Sequence, residues 1–186
     1  MEADWEFEVG GDAPVIDALW PGFVDLRLAP ERAWSLPEVR ELPGLAAALE
    51  RLNADSSPVW TAKCDFWPEV ELDAVDADEL DAPSGEFAYA MGCYVDLLAK
   101  ADRQWATPPI VAESCKQICG RLHAAPQRCC RVDLIVRRAV LSVEEAYLGI
   151  TAYLTACGAT AQAAKLVLEA ALAAFADALV THSTLQ

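Results

Sequence analysis

The sequence predicts an α+β fold: a mostly antiparallel or mixed sheet of about six strands, with three helices packed on one face. Several segments alternate apolar and polar residues with a period of two, as strands with one buried face do. Three other segments repeat apolar residues at helical spacing, and the two kinds of segment alternate irregularly along the chain. A Val-Asp-Leu tripeptide recurs at 24–26, 95–97 and 132–134, each time inside a predicted strand, so the sheet could combine two related halves.

The first third of the chain predicts three strands and one helix. Apolar residues at 5, 7 and 9 alternate with acidic ones and predict a strand with one wet face, and residues 23–28 predict a second strand. Residues 35–38, Ser-Leu-Pro-Glu, have the spacing of a capping box, so a helix is expected from there, interrupted at Pro43. A strand over 59–67 follows.

The last half predicts the order strand, helix, strand, strand, helix. Strands are expected over 87–98, 128–138 and 146–156, and Thr107-Pro108-Pro109 is typical of a helix start. The final helix follows a turn at 157–160 and carries an apolar stripe through Leu168, Leu172, Phe175 and Leu179.

Charge divides the chain into parts. The 29 acidic and 14 basic residues give a formal net charge of −15, and residues 1–90 hold 21 of the acidic and 5 of the basic ones. We therefore predict an N-terminal α+β part over 1–68, an acidic, solvated connection over 69–86, and a C-terminal part over 87–186, or else one continuous domain.

Composition excludes several function classes. A charge of −15 repels phosphate backbones, which argues against nucleic-acid binding, and no apolar run approaches the ~20 residues of a membrane span. The acidic start, residues 1–6, is unlike a signal peptide. Seven cysteines, an odd number, favour reduced thiols over a disulfide framework. We expect a cytoplasmic protein that has no cofactor and contacts neither nucleic acid nor membrane.

The period of two also assigns the two faces of the predicted sheet. Val132, Leu134 and Val136 should point towards the helices, together with the apolar residues at alternate positions of the neighbouring strands. The opposite face should carry tyrosine, aspartate and arginine, types that are enriched in binding hot spots. We predict a binding surface from these residues, Tyr94, Asp96, Cys129, Arg131, Asp133, Arg137, Tyr147, Thr151 and Tyr153. The alternative is a set of cross-strand pairs that only stabilise the sheet.

Cysteine and histidine offer two further chemistries. Cys115, Cys119 and His123 could present metal ligands from one helix, but the two cysteines also continue a core stripe, which we favour. Cys129 is flanked in sequence by Arg128 and by Cys130 and Arg131, and nearby guanidiniums would favour its thiolate.

Two carboxylates offer acid–base chemistry. Asp96 and Asp133 occupy equivalent places in two predicted strands and could approach each other, which would raise one pKa. Arg131 and Arg137 lie close enough along the strand to neutralise them instead.

These observations favour a non-catalytic binding or assembly protein over an enzyme. Its Tyr/Asp/Arg face would meet a second copy in a homodimer, a protein partner or a small ligand. The alternative is a small enzyme on the same face, with Asp96 or Asp133 as general base and Arg137 as anion clamp.

Overall fold

The computed structural model describes residues 1–18, 20–82, 87–101, 105–142 and 145–180. The described residues form six strands and three α-helices, joined by short 3₁₀ turns. The strands are β1 (Glu2–Glu8), β2 (Val15–Asp17), β3 (Val59–Trp67), β4 (Tyr89–Ala99), β5 (Cys130–Ser142) and β6 (Glu145–Gly158). The helices are α1 (Pro43–Asn53), α2 (Pro108–His123) and α3 (Ala161–Val180).

All six strands belong to one mixed sheet. Its order is β1-β5-β6-β4-β3, and the short β2 pairs with β5 beyond the end of β1. The β1 and β2 ladders to β5 are parallel, whereas the other three ladders are antiparallel. The predicted α+β class, with about six strands and three helices, is confirmed.

The main core lies between one face of this sheet and the helices. Val132, Leu134 and Val136 of β5 are fully buried there, together with Leu168 and Phe175 of α3. The alternate residues of β4 and β6 join the same cluster, so the assignment of the Val/Leu face to the helices is confirmed. The opposite face of the sheet lies outside this core, and other segments of the chain lie against parts of it. We call it the open face.

Two predicted elements of the first third are wrong. Residues 23–28 do not form a strand, and Asp25 and Arg27 pair with each other there. The second strand of the chain is β2 instead. The helix expected at residue 35 is replaced by two 3₁₀ turns, because the Ser35 hydroxyl donates back to the Arg32 carbonyl at 2.7 Å rather than capping the next turn. Pro43 does not interrupt that helix but begins α1.

The acidic segment after β3 folds back over one end of the open face. Leu80 is 2% exposed and packs with Ala90 and Cys157 of the sheet. Arg128 pairs with Asp81 and Arg131 with Glu79, each within 3.0 Å. Most of this acidic segment is exposed, as expected for a solvated connection, but Leu80 is buried and two of its carboxylates are ion-paired with the sheet.

Candidate functional site

The open face of the sheet is covered at both ends and concave between them. At one end Ile16, Ala18 and Trp60 belong to a second apolar cluster, and at the other lies the acidic segment with Leu80. Between these ends is a cavity of about 400 Å³, which we call the sheet pocket. Its size falls within the range of small-ligand sites, roughly 300–1,000 Å³.

The polar floor of the sheet pocket is a chain of hydrogen bonds across four strands. Thr151 of β6 donates its hydroxyl to Asp96 Oδ1 of β4 at 2.6 Å, and Arg137 Nη1 of β5 donates to Thr151 Oγ1 at 3.1 Å. Arg137 Nη1 also donates to Tyr153 Oη at 3.1 Å, while Nε and Nη2 donate to Glu8 Oε2 of β1 at 2.9 and 2.7 Å. We call these five residues the Arg137 network.

Strand register brings the Arg137 network together. Asp96 faces Thr151 in the β4–β6 ladder, and Glu8 faces Arg137 in the parallel β1–β5 ladder. Side chains directly opposite on one face lie about 4.5–5.5 Å apart at Cβ, within reach of a hydrogen bond. Thr151 is 1% exposed and Asp96 8% exposed, so the shared hydroxyl is held in a largely dry environment.

Aromatic rings form one wall of the sheet pocket. Trp67 stacks near Tyr94 with ring centroids 5.6 Å apart, and near Tyr153 with centroids 6.3 Å apart and planes at 12°. Trp67 lies across Gly92, where an added Cβ would come within 3.2 Å of the indole ring. A glycine here therefore lets an edge-strand tryptophan lie against the open face of the sheet.

Trp20 and a lysine also line the sheet pocket. Trp20 donates its indole N–H to the Ala62 carbonyl at 3.2 Å, and the Lys63 ammonium lies 5.6 Å from the centroid of the Trp20 ring. Lys63 occupies the β-bulge of β3 between Thr61 and Cys64. Bulges re-aim side chains, and this one brings an exposed lysine to the rim of the sheet pocket.

Burial dominates the electrostatics of the floor. It raises the pKa of Asp96, against the opposing effects of the Thr151 hydrogen bond and of the Arg137 and Lys63 charges. The pKa of Tyr94 is also raised, first by burial and then by the carboxylates of Asp96 and Asp65. Ionising Asp96 therefore places a buried negative charge at the floor of the sheet pocket at a cost to stability.

Asp96 and Asp25 should contribute to stability with opposite dependences on pH. Asp96→Asn removes a carboxyl whose pKa is raised on folding, so the stability of the wild type relative to this variant should fall as pH rises from the unfolded pKa of about 3.9. Asp25 is the matched control: its hydrogen bond with Arg27 lowers its pKa, so stability relative to Asp25→Asn should rise with pH. Urea unfolding over a pH series measures both, and slopes of the same sign would contradict the assignment.

Five of the nine predicted binding residues line the sheet pocket: Tyr94, Asp96, Arg137, Thr151 and Tyr153. The other four do not line it. Arg131 and Asp133 pair with each other at 2.7 Å on the same face, nearer the acidic segment. Tyr147 packs against the second apolar cluster, and Cys129, with φ +60°, packs near Cys157.

Asp96 and Asp133 do not approach each other, and Asp133 pairs with Arg131, the alternative that the sequence also offered. Strand β6 lies between their strands, so Asp96 faces Thr151 and Asp133 faces Tyr153. Burial raises the pKa of Asp133 as well, although Arg131 opposes this shift. The two carboxylates therefore belong to different networks, and the candidate general base inside the sheet pocket is Asp96.

The sequence interpretation missed Trp20, Lys63, Trp67 and Glu8. The alternation of Lys63, Asp65 and Trp67 in the predicted strand 59–67 was a usable signal, because it places the three on one face. Trp20 carried none, since it lies in an irregular segment. Cys115 and Cys119 are buried in the main core and His123 is exposed. Among the described residues, no three His, Cys, Asp or Glu side chains are grouped as metal ligands.

Comparison of the chain with protein-family models, with curated proteins and with solved structures gave no match. Within the described part of the chain, no helix has the length and apolar character needed to cross a membrane.

Proposed function

We propose that this protein is a non-catalytic binding protein that holds a small ligand in the sheet pocket. The observation that carries the proposal is a cavity of about 400 Å³ whose floor contains a buried, hydrogen-bonded Asp96–Thr151–Arg137 chain. Ligand sites combine an apolar wall with a few fixed polar groups, and the aromatic rings of Trp67, Tyr94 and Tyr153 supply that wall. The homodimer or protein partner expected from the sequence stays a prediction.

The contacts of Arg137 favour binding over the predicted enzyme. A guanidinium has five N–H donors, and four hydrogen bonds already join Arg137 to Glu8, Thr151 and Tyr153. The Glu8 carboxylate also balances its charge at 2.7 Å. Arg137 thus has little capacity left to clamp an anionic substrate, and its role is to hold the floor in place.

One observation supports the enzyme as a second candidate. The pKa of Asp96 is raised by burial inside a concave site, which is typical of a general base. Turnover of a bound compound by the wild type, abolished in Asp96→Asn, would replace the binding proposal with this one.

A panel of small aromatic amines, aromatic carboxylates and neutral aromatic amides tests the binding proposal. Ligand-observed NMR should find compounds that bind the wild type, and titration should show about tenfold weaker binding to Thr151→Val. The valine keeps the shape of the threonine but removes the hydroxyl that links Asp96 to Arg137.

Thr155→Val is the matched control, because Thr155 is half-buried on the same face of β6 but outside the sheet pocket. Its affinities should equal those of the wild type. A panel with no binder, or equal weakening by both valine variants, would contradict the proposal.

A further inference from the structure

The floor of the sheet pocket has unused hydrogen-bond acceptors. An ionised carboxylate can accept about four hydrogen bonds. Among the described residues, Thr151 is the one donor to the Asp96 side chain, and it contacts Oδ1. Asp96 lines the sheet pocket, so a ligand there meets a buried acceptor that the protein leaves largely free. A ligand that carries several N–H donors complements such a group.

The charges around Asp96 also favour a cation. Arg137 is balanced by Glu8 at 2.7 Å, and the aspartate of β2, Asp17, lines the same cavity. Of the cations that line the sheet pocket, this leaves Lys63, whose side chain is exposed and attached at a bulge. With Lys63 turned to solvent, no unbalanced positive charge would remain among the described residues that line the sheet pocket, and Asp96 would be the carboxylate acceptor on its floor.

Lys63 itself shows how the walls accommodate an ammonium group. Its Nζ lies 5.6 Å from the centroid of the Trp20 ring, and the Arg137 guanidinium lies 5.5 Å from that of Tyr153. Both distances are within the ≈ 6 Å range of cation–π attraction. Trp67 and Tyr94 add further ring surface to the wall above Asp96.

We infer that the ligand of the sheet pocket is a small organic cation, a protonated amine on an apolar or aromatic body. Its ammonium group would donate to Asp96 and lie against the tryptophan and tyrosine rings, displacing Lys63 from the rim. This inference rests on the proposed function, because it names the ligand class of the same site.

Three compounds of one size test it: benzylammonium, benzyl alcohol and benzoate. Titration of the wild type should give the tightest binding for benzylammonium, by about tenfold over the alcohol. Asp96→Asn should remove this preference. Asp133→Asn, which changes a half-buried carboxylate on the same face but outside the sheet pocket, should keep it.

Lys63→Met gives the sharper result, because the methionine keeps the length of the side chain and removes its charge. The affinity of this variant for benzylammonium should be at least about threefold higher than that of the wild type, because the Lys63 ammonium no longer competes for the same site. Tighter binding of benzoate than of benzylammonium, weakened by Lys63→Met, would overturn the cation inference. Circular dichroism confirms that each variant is folded.

The other outcomes separate the two proposals. If benzoate or benzyl alcohol binds in a Thr151-dependent way and benzylammonium does not, the ligand site stands and the cation class is wrong. If none of the three binds at millimolar concentration, the cation inference fails, and the panel with the Thr151→Val and Thr155→Val pair decides the proposed function independently.

Discussion

Arg137→Met is expected to lower the free energy of unfolding by about 2–4 kcal/mol. The variant leaves Glu8, Thr151 and Tyr153 without the guanidinium that joins them. It also removes a positive charge that lowers the pKa of Asp96, so the buried carboxylate becomes costlier to ionise. Methionine retains most of the apolar stem, which confines the loss to charge and hydrogen bonding.

Arg138→Met is the matched control for this prediction. Arg138 is the next residue of β5, and its Nη2 donates to the Gly11 carbonyl at 3.2 Å in an exposed contact. Its replacement should change the free energy of unfolding by less than about 1 kcal/mol in the same urea titration. Equal losses in the two variants would mean that the Arg137 network adds no more than the single hydrogen bond that the half-buried Arg138 makes.

The faces of the sheet could be predicted from the sequence because they follow from local alternation. Each residue of β4, β5 and β6 faces the side opposite to its neighbour, so the burial of Val132 and Leu134 assigns Asp133 to the open face. No knowledge of strand order is needed for that step. The five predicted residues that line the sheet pocket were found in this way.

Strand order and irregular segments could not be predicted by the same reasoning. Alternation within β4 and β5 does not reveal that β6 lies between them, so the sequence leaves the pairing of Asp96 with Asp133 open and does not indicate its pairing with Thr151. The segment 23–28 has the alternation of a strand because Leu26 is buried in the main core while Phe23 contacts Trp60, yet it pairs with none of the described strands. The apolar side chains of this segment make contacts on alternate sides, but its backbone does not form the hydrogen bonds of a sheet ladder.

Substitutions on the two faces of the sheet should have different effects: one on the helix side should mainly lower stability, and one in the sheet pocket should mainly weaken binding. Leu134 of β5 is fully buried in the main core, whereas Thr151, on the neighbouring β6, lies in the sheet pocket. Leu134→Ala should lower the free energy of unfolding by about 3–5 kcal/mol, because it removes apolar contacts and leaves a cavity. Affinity for panel compounds, measured in the cold where the variant stays folded, should remain within about twofold of the wild type.

Thr151→Val should show the reverse pattern, with about tenfold weaker binding and a smaller change in stability. The Thr151 hydroxyl acts on binding by linking Asp96 to Arg137. This specific effect requires that the core on the helix side holds the strands in register without the hydroxyl. Leu134→Ala tests that condition from the other face. A loss of affinity in Leu134→Ala that matches the loss in Thr151→Val would show that the sheet pocket depends on packing behind the sheet rather than on its own hydrogen bonds.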